Sequence, residues 1–192
     1  MAKDLAATRR QTIHDAAIAE FSDRGFSATS MANIALAADM SRPALYQYFK
    51  NKTDIFASAF VSLINDHVEA AIGALAGPGS VAERLDSFLQ RYDGDMWQRL
   101  RASAHSDEIL EVKNDEVMKQ VHAAMSRLRD GLATYLRDVS AAGVDDAKLT
   151  GWVDVVQLSP KGFKADRPSV SVFRRRLTVL ADSVAADIAA GH

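Results

Sequence analysis

Residues 29–49 run TSMANIALAADMSRPALYQYF. Ile34, Ala35 and Ala38 in the first half, and Leu45 and Phe49 in the second, recur at helical spacing. Between the halves lies a turn of three or four residues containing Asp39, a residue type that tolerates unusual backbone angles. Thr29 or Ser30 can cap the first helix by accepting from its orphan first-turn amides. The second starts after Ser41, with Pro43 in the first turn, where a missing amide costs nothing. Two short helices joined this way have the layout of a helix-turn-helix, and alanine at the crossing lets the backbones approach at a steep angle.

The residues that this arrangement turns outward suit a duplex. Ser41 and Arg42 stand at a helix N-terminus, where main-chain amides already favour an anion. Ala44 and Gln47 lie one turn apart and can reach base edges together. Glutamine pairs bidentately with adenine, and an alanine methyl meets the thymine methyl. Tyr46, Tyr48 and Lys52 offer hydroxyls and an ammonium to phosphate oxygens, contacts that position a protein without reading sequence.

The segment resembles the TetR (tetracycline-repressor) family of bacterial regulators. The matching residues are Gly25-Phe26, Ala28-Thr29-Ser30, Ile34-Ala35, Ala38-Asp39-Met40-Ser41 and Leu45-Tyr46-Gln47-Tyr48-Phe49 with Lys52. Asp39 departs from the family, which usually has glycine in the turn. The resemblance implies that Thr29, Ser30, Ser41, Tyr46, Tyr48 and Lys52 meet phosphate, and that Arg42, Ala44 and Gln47, on a helix opened by Pro43, meet bases. It further implies a homodimer on an inverted-repeat operator in double-stranded DNA. A small molecule bound in the body would shift the dimer toward a form that no longer fits the operator, provided that it binds the two forms with different affinity.

Upstream, residues 4–24 read as a helix with Ile13, Ala16, Ala17 and Phe21 on one stripe, ended by Gly25. Downstream, residues 52–76 read as one long helix with Phe56, Phe60, Leu63, His67 and Ala74 on one side, stopped by Gly77-Pro78-Gly79. Ser80 and Glu83 form a capping box. Gly94 and Asp95 are expected to break the next helix, after which a short one bears Trp97 and Leu100. A periodic run from Val117 to Val139 closes at Gly143. A helix over 145–159 is expected to stop at Pro160 and Gly162, and Pro168-Ser169 opens the last. The expectation is an all-α chain of about nine helices. Residues 1–52 form a three-helix DNA-binding head, and residues 53–192 form an effector-binding and dimerising body.

Composition narrows the classes. The chain has 192 residues, 48% hydrophobic and 25% charged, with a formal net charge of −2. Residues 1–52 hold seven Lys or Arg against five acids, a local +2 that leaves −4 for the rest and has the sign expected of a phosphate-facing part. Without cysteine there is no disulfide, thiolate nucleophile or cysteine-ligated zinc. No secretory h-region and no run of about 18 apolar residues is seen, so the reading is a soluble, cytoplasmic protein with no membrane partner. The histidines, His192 included, lack ligand spacing, and there is no phosphate loop or nucleophile motif. We therefore expect no enzyme, no metal and no cofactor. Arg9 and Arg10 can track a phosphate backbone, although basic residues before a helix are more often merely solvated. The triplet Arg174-Arg175-Arg176 and the acids of residues 107–116 read best as solvated or ion-paired surface.

Two further expectations concern the body. The last two helices, over 145–159 and 169–190, are expected to pair with their copies, because Phe173, Leu177, Leu180, Ala181, Val184 and Ile188 make a wide stripe for a terminal helix. The other reading of that stripe is the chain's own core. Phe88, Tyr92, Met96, Trp97, Met118, Met125 and Trp152, with His105 and His122 as polar groups, are candidates for lining an apolar effector pocket. Core packing suits each residue taken singly, and the resemblance is what favours a pocket. The function expected is a repressor released by a small apolar effector. The alternative is a DNA-binding dimer governed by a protein partner, with no small-molecule ligand.

Overall fold

The computed structural model describes residues 2–106, 115–141 and 143–191, with side chains from residue 6. The acidic stretch 107–114 and His192 lie outside the described residues. Among the described residues every regular element is helical: α1 (Ala2–Arg24), α2 (Met31–Ala37), α3 (Arg42–Tyr46), α4 (Lys52–Leu75), α5 (Val81–Leu89), α6 (Asp95–Ala102), α7 (Asp115–Val139), α8 (Asp146–Phe163) and α9 (Val170–Ala190). The caps fall where the sequence puts them. Ser30, Ser41, Ser80, Asp145 and Ser169 each accept a first-turn amide through the side chain, and Gly25 ends α1 at φ 82°.

Two breakers fail to break. Gly94 sits inside a single wide π turn (Gln90–Gly94) that joins α5 to α6, with the Asp95 N–H reaching the Gln90 carbonyl. A Cβ there would lie 2.8 Å from Arg174 Nη1 and from Gln90 Oε1, so a larger residue would push those two side-chain ends aside. Pro160 lies within α8, which runs on to Phe163. The proline removes one helical hydrogen bond, but its ring is buried and only a final turn remains to be carried past it.

The chain divides into two compact units. The first comprises residues 1–64 and 100–122. Its core joins Ile13, Ala17 and Phe21 of α1 to Met31, Ile34 and Ala35 of α2, to Leu45 and Phe49, and to Ile55 and Phe56 of α4. Phe21, Phe26, Phe56 and Phe60 pack as an aromatic group with centroids 5.4–5.8 Å apart. Burying each such side chain stabilises the unit by roughly 1.5–3 kcal/mol. On the α6–α7 side, the Ser103 hydroxyl donates to the Ser22 carbonyl at the end of α1.

The second unit comprises residues 65–99 and 123–192. α9 is its centre: Phe173 and Leu177 are fully buried, and Leu180, Ala181, Val184 and Ile188 nearly so. A polar seam ties α9 to the π turn. Arg174 donates to Gln90, Asp95 and Gln98, Gln90 Nε2 donates to the Arg174 carbonyl, and Thr178 donates to Asp86. Arg176 forks onto Asp166, so the arginine triplet is largely an ion-paired surface. At the π turn, burial pushes the Asp93 carboxyl up while Lys164, 2.8 Å away, pulls it back. Val155 and Leu158 of α8 and Val179 of α9 remain exposed.

α4 passes through both units and is, by length and composition alone, apolar enough to cross a bilayer. It is a core helix here: Ile55, Phe56, Ala59, Ile64, Val68, Ala71 and Leu75 are buried, and Asp66 and Glu69 meet solvent. The buried stripe is therefore displaced by about one position from the expected Phe60, Leu63 and Ala74, which are half-buried.

Candidate nucleic-acid interface

In the head, α2 and α3 are held by local chemistry before any packing. Ser30 Oγ accepts the Asn33 N–H at 3.2 Å while Asn33 Oδ1 accepts the Ser30 N–H at 3.0 Å, a reciprocal cap. Asp39 takes the left-handed conformation at φ 51°, and Met40 N–H reaches back to the Ala35 carbonyl at 3.0 Å. That conformation turns the chain sharply enough for Ser41 to cap α3 through the Ala44 N–H. Leu45 is fully buried and Phe49 nearly so, which fixes how α3 is rotated.

The rotation leaves Ser41, Arg42, Pro43, Tyr46 and Gln47 exposed and Ala44 half-buried. Arg42 lies over the Tyr46 ring, 5.6 Å from its centroid, and donates to its hydroxyl at 3.3 Å. Tyr48 is half-buried. Arg10 of α1 sits 5.9 Å from its ring centroid and 5.2 Å from that of Phe49. The surface thus presents an amide, a hydroxyl, an anion-ready helix end and two cations together.

Two of the phosphate candidates are used inside the head instead. Thr29 is buried, and its hydroxyl hydrogen-bonds the Gly25 carbonyl at 2.7 Å and the Glu20 carbonyl at 3.2 Å. Lys52 Nζ donates to the carbonyls of Phe26, Ser27 and Thr29 at 2.7, 3.1 and 2.9 Å, and lies over the Phe26 ring. Its three N–H donors therefore fasten the α1–α2 loop. No periodicity in the sequence signals such a clamp.

The effector candidates divide between the two units. Tyr92 donates its hydroxyl to the Met125 sulfur at 3.1 Å, and burial pushes that phenol well above its usual range. Trp97 donates to the Pro168 carbonyl and tilts against Phe173, Phe88 is buried, and Met96 is half-buried. Trp152 donates to Asp187 and borders a cavity of about 190 Å³ with Val144, Lys148 and Ile188. That is below the roughly 300 Å³ at which drug-sized sites begin. His105, Met118 and His122 fall in the first unit, with Met118 and His122 exposed. A histidine not chosen as a candidate stands out instead. His67 is buried with Nδ1 2.9 Å from the Arg91 carbonyl, so Nδ1 donates there, and Nε2 has no partner among the described residues. The side chains assigned to a second copy, Phe173, Leu177, Leu180, Ala181, Val184 and Ile188, all point into the chain's own core.

A capped helix-turn-helix on its own small core, followed in the sequence by further helices, is the architecture to set against known proteins. Residues 13–59 match the family described as bacterial regulatory proteins, tetR family. The chain is 46% identical over 54 residues to the HTH-type transcriptional regulator AcrR of Shigella flexneri, covering 28% of this chain and 25% of that one. Across the whole fold it is similar to a TetR/AcrR-family regulator from Thermobifida fusca YX-ER1, with a TM-score of 0.69 at 23% identity, covering 91% and 96% of the two chains. It is also similar to the regulator FadR of Bacillus subtilis in complex with stearoyl-CoA, with a TM-score of 0.57 at 20% identity, covering 95% and 98%. Residues 13–59 thus match the tetR family pattern, and the chain has the fold of these solved regulators. The chain spans only about a quarter to a third of the length of the curated relatives it matches.

Proposed function

We propose that the chain is a DNA-binding transcription regulator, a homodimer that represses from an inverted-repeat operator and is released by a small apolar effector. The observation that supports this most is the outward face of α3, where Gln47, Arg42 and Tyr46 stand exposed on a helix locked by Leu45 and Phe49. On this reading residues 1–52 are the DNA-binding head, with Gln47 and Ala44 facing bases and Ser30, Ser41, Tyr46 and Tyr48 facing phosphate. Residues 53–192 are the dimerising and effector-binding body.

The second copy is best accommodated on the exposed sides of α8 and α9, which carry Val155 and Leu158 on the first and Val179 on the second. Gly151 and Gly162 lie on the same side of α8, and an added Cβ there would meet nothing, so another helix has room to approach. For the effector, the buried His67 Nε2 is an acceptor awaiting a donor, beside a π turn that also holds the Tyr92 phenol. An apolar molecule bearing one hydrogen-bond donor suits that chemistry. The bound stearoyl-CoA of the FadR structure is an instance of this fold holding an acyl ligand.

Selection of bound duplexes from random DNA tests the reading. The expected result is an inverted repeat with half-sites a whole number of helical turns apart, about 34–36 Å per turn. Hydrophobic compounds that change Trp97 or Trp152 fluorescence should also release that duplex. Compounds that quench both tryptophans without changing operator affinity would favour a body governed by a protein partner.

A further inference from the structure

Arg10 has a setting that distinguishes between the two sequence readings of it, solvated or phosphate-facing. It lies on an exposed turn of α1, yet its guanidinium is held 5.2 Å from the Phe49 centroid and 5.9 Å from that of Tyr48. Several arginines elsewhere are matched to carboxylates, Arg24 to Glu20, Arg129 to Asp154, Arg174 to Asp95 and Arg176 to Asp166, whereas Arg10, like Arg42 and Arg84, lies over aromatic rings. Arg10 has no ion pair or hydrogen bond to any described residue. A guanidinium stacked on rings uses its faces and leaves the N–H edge free, already oriented for two parallel bonds to a planar or tetrahedral anion.

We infer that Arg10 is a phosphate-binding residue of this head, stacked on Tyr48 and Phe49 at the end of α3 so that its guanidinium edge clamps a DNA backbone phosphate. Arg42 stacks on Tyr46 in α3 itself, so the exposed Gln47 is bracketed by two arginine–tyrosine pairs from different helices. The bracket fixes the depth and roll of Gln47 against the base edges while contributing no base preference of its own. This inference rests on the DNA-binding reading above.

The test measures affinity of the full-length protein for its selected duplex and for random-sequence duplex over a range of salt. Removing one phosphate contact per head lowers the slope of log K against log salt by about 0.9 per head. Arg10→Gln should show that loss on both duplexes, with the selected motif unchanged, and Arg10→Lys should restore most of the slope while remaining weaker than wild type. Thermal melting of each variant reports whether the head is intact. An unchanged slope in a folded Arg10→Gln protein overturns the inference, as does a slope that Arg10→Lys fails to restore. Wild-type protein that binds neither duplex refutes the DNA-binding reading itself, a result distinct from either of these.

Discussion

Thr29 and Ser30 are neighbours with opposite fates. Ser30 caps α2 from the exposed side, whereas Thr29 turns inward to hold the carbonyls of Gly25 and Glu20. Both residues are good caps by type, and only the packing of the α1–α2 loop decides between them. Lys52 shows the same limit. A lysine after an aromatic recognition motif reads as a phosphate contact, but three loop carbonyls occupy its donors. Lys52→Met should therefore destabilise the head by about 2–4 kcal/mol in urea unfolding, because charged hydrogen bonds are lost. It should leave the salt slope of DNA binding unchanged in protein that remains folded. A slope reduced by about 0.9 per head would return Lys52 to the phosphate contacts. Gln47 was legible from sequence because helical phase sets it opposite the buried Leu45, and Ser41 and Arg42 because they stand at the start of α3.

At the scale of the element, start signals proved more legible than stop signals. A cap is a local bargain between one side chain and one amide, so Ser30, Ser80, Asp145 and Ser169 could be read directly. Gly94 and Pro160 act through neighbours far away in the chain: Arg174 presses on the first, and burial holds the second. The loop between α8 and α9 has its own fastening, the fork of Arg176 onto Asp166, beside the Pro168 carbonyl that receives the Trp97 indole. The Arg176 hydrogen bond holds the Asp166 carboxyl below its ordinary value of 3.8. A depressed carboxylate stabilises the folded state above its unfolded value and loses that contribution as pH falls toward the folded value. Urea midpoints taken downward from about pH 6 should fall less steeply for Asp166→Asn than for wild type below about pH 4. Parallel curves would mean that the fork contributes nothing in solution.

For the whole molecule, the all-helical character was plain from spacing, while the faces of the later helices were not. A wide apolar stripe on a terminal helix suits either a partner or the chain's own core, and α9 spends it on the core. Val179, on the opposite side, makes no wide stripe, because the other large apolar residues left exposed in this unit, Val155 and Leu158, lie on α8. The two faces separate by mutation. Leu180→Glu should unfold the chain or lower its stability by several kcal/mol, since it buries an unpaired charge. Val179→Glu should instead yield a folded monomer by light scattering. A Val179→Glu protein that stays dimeric at unchanged affinity would move the interface elsewhere.

The central claim is that α3 reads DNA through Gln47, and selection from random duplexes with wild type and Gln47→Ala in parallel tests it most directly. Wild type should enrich an inverted repeat. Gln47→Ala should enrich the same repeat with preference relaxed at one base position in each half-site, at a cost of roughly 1–3 kcal/mol per contact. Two identical motifs, or no enriched motif from the wild type, would contradict the account.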